Sequence, residues 1–206
     1  MPRFNLIGQK IAKKALISPR HALFSSTLKG KIMDTKSFNF IMSRVSVRSY
    51  KKNAPLSRED LTALVRAGMA APSACDRRTQ RFVAVNDAAQ IATLAQVHPY
   101  AGYMLDSGTV IVVCGDLDCA LPEAQEFWAQ DCAASTENIL LAAETMGFGS
   151  VWCGVYPVVE MVQAISSVLE LPENIIPFSL IVVGRPEGEE PPKDKWDASK
   201  LHWQKW

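Results

Sequence analysis

The sequence predicts an α+β or α/β fold, and three observations carry that reading. Segments with apolar residues at helical spacing alternate with short apolar runs along most of the chain. Of the 206 residues 48% are apolar, enough to bury a core and too many for a disordered chain. No apolar run approaches the roughly 18–20 residues that a membrane-spanning helix needs. The length suits one domain with an appendage.

Asp34–Met42 reads as a first helix and SRVSVRSY (43–50) as an extended polar segment. Ser57 is placed to cap a second helix, with Asp60 three residues on and Leu61, Leu64, Val65, Gly68 and Met69 at helical spacing. Pro72 stops it. Phe82–Val85 reads as a strand, Ala88–Val97 as a helix and Thr109–Cys114 as a buried strand closed by Gly115-Asp116. Glu123–Met146 reads as one long helix whose half from Cys132 to Ala143 is apolar or small nearly all round. A helix of that kind needs cover on several sides. Val151–Val155 reads as a strand, Val158–Leu169 as a helix and Phe178–Val183 as a strand ending at Gly184. A tail rich in Pro, Glu and Lys then leads to HWQKW.

The formal charge of +1 averages two unlike pieces. Residues 1–33 hold seven bases (Arg3, Lys10, Lys13, Lys14, Arg20, Lys29 and Lys31) and no acid. The remaining 173 residues hold 15 bases and 21 acids. Residues 1–33 therefore read as a basic N-terminal appendage, outside the chemistry, with the domain proper at 34–206. The appendage lacks the apolar stretch and cleavage site of a secretory signal, and suits a presequence, a surface arm or an over-extended start equally. The acidic body speaks against a nucleic-acid partner. The five cysteines show no CxxC or Cys/His spacing for zinc or iron–sulfur, so no metal site is expected. They read as reduced, packed thiols of a cytoplasmic protein.

Familiar nucleotide and hydrolase signals are absent. Gly147-Phe-Gly149 lacks a third glycine and follows a helix, no GxSxG occurs, and His21, His98 and His202 are the only histidines. Four stretches remain. In Arg44-Val45-Ser46-Val47-Arg48, strand alternation puts Arg44, Ser46 and Arg48 on one side, either as an anion cradle or as a solvated basic edge. The loop Ala71-Pro72-Ser73-Ala74-Cys75-Asp76-Arg77-Arg78-Thr79-Gln80 has small residues that let a flat ligand approach, or is an ordinary surface loop. Gly149–Gly154 enters a strand with a glycine that permits close backbone approach, or simply sets Trp152 in a core strand. Lys193 and Lys195 follow a stiff Pro191-Pro192 lead, as a paired cationic site or a solvated tail. Taken together the four describe a site for a planar ring bearing a phosphate.

In this order the stretches resemble the nitroreductase-like family of FMN-dependent oxidoreductases, over roughly Ser37 to Trp206. Arg44-x-Ser46-x-Arg48 matches the family's RxSxR/K, and Pro72–Phe82 its PSxxNxQPWxF loop. Glu137–Ala143 followed by MGFGSVWCGVYP, Gly184-Arg185-Pro186, and the Lys193/Lys195 pair complete the pattern. The short length and the HWxKW ending look like the compact bacterial branch.

The resemblance implies a three-layer α+β fold, with a mostly antiparallel central sheet flanked by helices, in an intertwined homodimer with FMN at the interface. It implies that Arg44, Val45, Ser46 and Arg48 hold the FMN phosphate, ribityl chain and pyrimidine edge, and that Lys193 and Lys195 complete the phosphate cage. Pro72, Ser73, Ala74 and Asp76 would contact the ring, and Cys153-Gly154 would offer a backbone N–H to flavin N5. Cys153 would lie against the isoalloxazine, with Cys75 near it. NADH or NADPH would deliver hydride, and a nitroaromatic, quinone or similar small molecule would accept the electrons in a ping-pong cycle. No residue is named as catalytic acid or base, because the flavin carries the hydride. Related scaffolds imply two alternatives, dehalogenation or dehydrogenation, and a non-enzymatic FMN-binding or storage protein is a third.

Two residues depart from the pattern. Asp76 stands for the family's Asn and Arg78 for its Gln, and an ionised Asp only accepts hydrogen bonds. Arg77 or Arg78 is placed to pair with it. The family's Pro-Trp is Thr79-Gln80, so a stacking role for that Trp does not carry over.

Overall fold

Four antiparallel strands, in the order β1-β2-β4-β3, form the middle layer of the molecule. The computed structural model of the chain describes residues 35–206. The basic appendage at 1–33 and the predicted helix start at Asp34 lie outside the described residues.

The inner strands β2 (Val110–Asp116) and β4 (Ile175–Gly184) are apolar on both faces because both faces are covered. Val110, Val112, Cys114, Leu180 and Val182 point to one layer, with α3 (Ala88–Val97), α4 (Met104–Ser107) and α6 (Val159–Val168). Ile111, Val113, Ile181 and Val183 point to the other, with α2 (Arg58–Met69) and α5 (Phe127–Thr145). The fold is thus the three-layer α+β arrangement expected. The outer strands are β1 (Gln80–Val85) and β3 (Gly149–Gly154), and the first helix, α1 (Thr35–Ser43), touches α5. Among the described residues no helix is long and apolar enough to cross a membrane.

Local signals behave as the sequence reads. The Ser57 hydroxyl accepts from Asp60 N at 3.1 Å and the Asp60 carboxylate accepts from Ser57 N at 3.4 Å, so the capping box is reciprocal. Several boundaries shift by one or two residues, with β1 starting at Gln80 rather than Phe82 and β3 at Gly149 rather than Val151, and three larger differences have physical causes. Residues Pro122–Ala124 form a separate 3-10 turn, so the long helix starts at Phe127 rather than Glu123; its first bonds are the tighter i→i+3 kind, such as Trp128 N to Gln125 O. This helix start seats Trp128 over Gly115, where a Cβ would strike the indole. Strand β4 begins three residues earlier than read, passing through Pro177, because a register shift opposite Val113/Cys114 absorbs the missing donor. Four-residue α4 carries too little periodicity to be visible and ends on left-handed Gly108.

At the end of β2, buried Asp116 ties three segments together. Its carboxylate accepts from Arg81 at 2.6 Å, Asn174 at 2.9 Å and Asp118 N at 3.1 Å, with the Cys119 thiol at 3.4 Å. Burial alone would raise its pKa, but the bonds from Cys119 and Asn174 and the charge of Arg81 together hold it below the usual range. A depressed carboxyl stabilises fully above its unfolded value, about 3.9, and loses that contribution as pH falls through the folded one. Urea midpoints should therefore show a constant margin of wild type over Asp116→Asn from neutral pH down to about pH 4, shrinking below it. A margin unchanged to about pH 2 would show that the carboxylate charge contributes nothing.

Candidate functional site

The outer edge of β3 organises the site. The segment 44–48 runs parallel beside it: Ser46 bridges Ser150, and Val47 N donates to Ser150 O at 3.0 Å. Val47 turns inward and is 2% exposed, so alternation turns Arg44, Ser46 and Arg48 the other way. These three and Val45 line a cleft of about 470 Å³ with Lys193 and Lys195. Tyr50 explains how the lysines arrive. Its buried hydroxyl donates to Val47 O at 2.6 Å, and its main chain bridges Pro186. Lys51 N to Arg185 O (2.9 Å) and Glu187 N to Ser49 O (3.1 Å) continue the seam, so the chain after β4 returns along 44–51.

Four cations thus meet two cleft acids, Glu137 from α5 and Glu190. Glu137 Oε1 lies 3.3 Å from Arg44 Nε, on an arginine side chain only 16% exposed. That contact fixes the guanidinium through Nε and leaves its two terminal nitrogens to donate elsewhere. In the sequence Glu137 is only part of a helix motif, and a glutamate between Thr136 and Asn138 gives no sign of this orienting role.

At the far end of the edge lies Gly154. Val155 N bonds inward to Phe178 O, whereas Ser150 gives its carbonyl outward to Val47. The two-residue alternation of the ladder therefore aims the N–H of Gly154 outward, on the Ser150 side. A Cβ built on Gly154 would meet no atom within 4 Å, so the space over it is open. Trp152, read as a core residue in one alternative, is 36% exposed on the open face, packed edge-on against Phe178 at 5.7 Å. Cys153 corrects an expectation. Its side chain faces the opposite way, 5% exposed, with Sγ 3.2 Å from the Tyr103 hydroxyl. Burial pushes its pKa up, against the smaller downward pull of that hydrogen bond. Successive strand residues point to opposite faces, and the ladder turns the main chain of Cys153 inward to β4, so it is Gly154 and not Cys153 that offers an outward N–H here. Cys75, by contrast, is exposed.

The loop after α2 does not enter this cleft. Pro72, Ser73 and Ala74 line a separate groove of about 300 Å³ with Phe127, Gln130, Asp131 and Ala134. Its shape is costly, because Cys75, Asp76 and Arg78 all have positive φ (48°, 53° and 52°). Asp131, which the sequence reading did not single out, holds it. The buried carboxylate accepts from Ala74 N and from the Thr79 hydroxyl, each at 2.9 Å. The available sign was an acid next to the half of the helix that is apolar or small nearly all round. Of the two candidate partners Arg78 takes Asp76, in a fork of 2.9 and 2.6 Å that holds the carboxyl below its ordinary range. Arg77 instead donates to Cys119 O at 2.8 Å.

A model of the nitroreductase family matches residues 41–102 and 95–185. The chain belongs to the nitroreductase family. A relative from Methanothermobacter thermautotrophicus, provisionally named an NADH dehydrogenase/NAD(P)H nitroreductase, is 34% identical over 94% of this chain and 100% of its own. A crystal structure from Parabacteroides distasonis with the same provisional name superposes at a TM-score of 0.78, with 39% identity over 82% of this chain and 98% of that one. An NADH oxidase structure, also provisionally named, from Clostridium acetobutylicum gives a TM-score of 0.76 and 35% identity over 81% and 99%. This nitroreductase-family chain thus has the family fold, and its loop after α2 carries an arginine-bound Asp76.

Replacing Asp131 by Ala strands two donors of the loop and should cost about 1–3 kcal/mol. Trypsin cleavage after Arg77 and Arg78 should accelerate severalfold relative to wild type. Unchanged cleavage would show that the loop is held by something else.

Proposed function

We propose that this protein is an FMN-dependent oxidoreductase that takes hydride from NADH or NADPH. It passes the electrons to a nitroaromatic, quinone or similar small acceptor in a ping-pong cycle. The observation that carries the reading is the juxtaposition, along one strand edge, of a four-cation cleft and an outward N–H under open space.

The donor set fits FMN. A phosphate monoester carries about −1.5 to −2 charges at neutral pH, and two guanidiniums, two ammoniums and the Ser46 hydroxyl converge on the cleft. Bound there, FMN supplies the hydride-accepting centre at N5. Arg44, oriented by Glu137, and Lys193 and Lys195 neutralise the phosphate, while Val45, Ser46 and Arg48 line the remaining wall. Gly154 contributes a backbone donor with no side chain to obstruct a flat ring. A fixed amide dipole polarises an acceptor atom without titrating, so the chain needs no acid or base of its own at that point.

Of Pro72, Ser73, Ala74 and Asp76, which the resemblance gives as ring contacts, the first three open on a different groove, so a second copy of the chain would bring this loop to the cleft. Two observations support a homodimer. One side of α5, with Ala133, Ala134 and Leu141, is only half covered within the chain. The tail carries Trp196, Trp203 and Trp206 at 69%, 74% and 100% exposure, which suits an arm laid on a partner. In this reading residues 34–206 form the FMN-binding body, and the basic 1–33 lie outside it.

Purified protein should be yellow and should bleach when mixed anaerobically with NADH or NADPH. A colourless protein that fails to take up added FMN would overturn the proposal. Arg44→Ala, and the pair Lys193→Ala with Lys195→Ala, should each weaken FMN binding tenfold or more, since a charged hydrogen bond is worth about 1.5–3 kcal/mol. Unchanged retention in both would refute the cage.

Gly154→Ala separates ligand approach from folding. The added methyl meets nothing in the chain, so thermal stability should stay within about 0.5 kcal/mol. FMN affinity or the flavin spectrum should nevertheless change, and wild-type behaviour in both would place the ring elsewhere.

A further inference from the structure

His98 stands at the C-terminal end of α3, 2% exposed. Its main chain is fixed on both sides, with N–H donating to Leu94 O at 3.0 Å and C=O accepting from Ala101 N at 3.1 Å. Ring atom Nε2 lies 3.1 Å from the carbonyl oxygen of Gly154. A carbonyl only accepts, so Nε2 carries the proton. Nδ1 is buried and has no hydrogen-bond partner among the described residues. The ring thus makes one hydrogen bond, to Gly154, and leaves its other nitrogen unsatisfied, which is unfavourable in a buried site. A leucine or phenylalanine would fill such a space without that penalty, so packing alone does not account for a histidine.

The residue it grips is the one whose N–H is aimed at the open edge. In an extended residue the N–H and the C=O point to the same edge, so fixing one fixes the other. Gly154 is the last residue of β3; Val155 N still donates to Phe178 O on the inner side at 3.2 Å, and on the outer side glycine has the widest backbone freedom. We infer that His98 is a positioning residue: through Nε2–H it pins Gly154 so that its N–H stays aimed at the open edge. The inference rests on the FMN reading above, where that N–H serves the hydride-accepting atom. A donor misplaced by about 1 Å can slow a reaction by as much as ~100-fold.

The test compares wild-type holoprotein with His98→Leu, His98→Asn and His98→Gln. Glutamine can present an amide N–H near the Nε2 position, and asparagine is too short to reach. FMN content after gel filtration, the flavin absorption spectrum and midpoint potential, and the rate of anaerobic bleaching by NADH or NADPH are measured for each. All four should retain FMN, because the cationic cleft is untouched. His98→Leu and His98→Asn should shift the spectrum and potential and slow bleaching about 10- to 100-fold. His98→Gln should recover most of both.

A His98→Leu protein with wild-type potential and bleaching overturns the inference, as does a His98→Gln protein as impaired as His98→Leu. If His98→Leu does not fold, the Asn and Gln variants decide: a difference between them supports positioning, and equal behaviour refutes it. The two levels separate cleanly. Wild type that binds no FMN, or is not bleached, removes the FMN reading, whereas competent wild type with unaffected variants removes only the role of His98.

Discussion

The site depends on one seam, the docking of residues 44–50 against the open edge of β3. Val47 does this with both ends of its character: its N–H reaches Ser150 O and its side chain fills the space over Gly149 that a Cβ would occupy. Tyr50 locks the same segment by donating to Val47 O and lying within 3.2 Å of Val182 O. Because a strand alternates, burying Val47 forces Arg44, Ser46 and Arg48 to the other side together. The cationic cleft follows from an apolar contact, and the return of Lys193 and Lys195 follows from the same seam through Arg185, Pro186 and Glu187.

What was legible in the sequence had a short-range physical cause. The capping box at Ser57, the apolar runs of β2 and β4 and the one-sided arginines each follow from spacing alone. What was not legible depended on distant partners. Pro177 looks like a strand breaker until a register shift in β2 is known. Asp131 looks out of place until the loop it holds, more than fifty residues earlier, is folded against it. Cys153 was assigned by neighbourhood to the open site, but a strand separates neighbours by face, and its thiol belongs to the core beside Tyr103. The separation of Pro72–Ala74 from the cleft is likewise tertiary, since spacing says nothing about which groove a loop opens onto.

Charge and hydrogen bonding divide the labour of the proposed site. The acidic body gathers Arg44, Arg48, Lys193 and Lys195 in one place, and Glu137 restrains Arg44 so that fewer rotamers must be frozen when an anion binds. Such a cleft recognises a compact dianion. It offers a long polyanion little, because residues 34–206 carry 21 acids against 15 bases.

The other end of the edge works by geometry. There the donor is a main-chain N–H, and its strength depends on aim rather than protonation. Aim is a demanding requirement at a glycine that ends a strand, where no side chain restrains the peptide and the bond from Val155 N to Phe178 O, at 3.2 Å, holds only its inner side. A second hold comes from outside the strand, from an imidazole anchored on helix α3 that reaches the Gly154 carbonyl. Anchoring from a helix that packs on the opposite side of the sheet from α5 leaves the cleft face clear for a flat ligand. The same division explains why a buried nitrogen is left without a partner: the ring is oriented by what it must hold, and its second nitrogen takes whatever surroundings that orientation leaves.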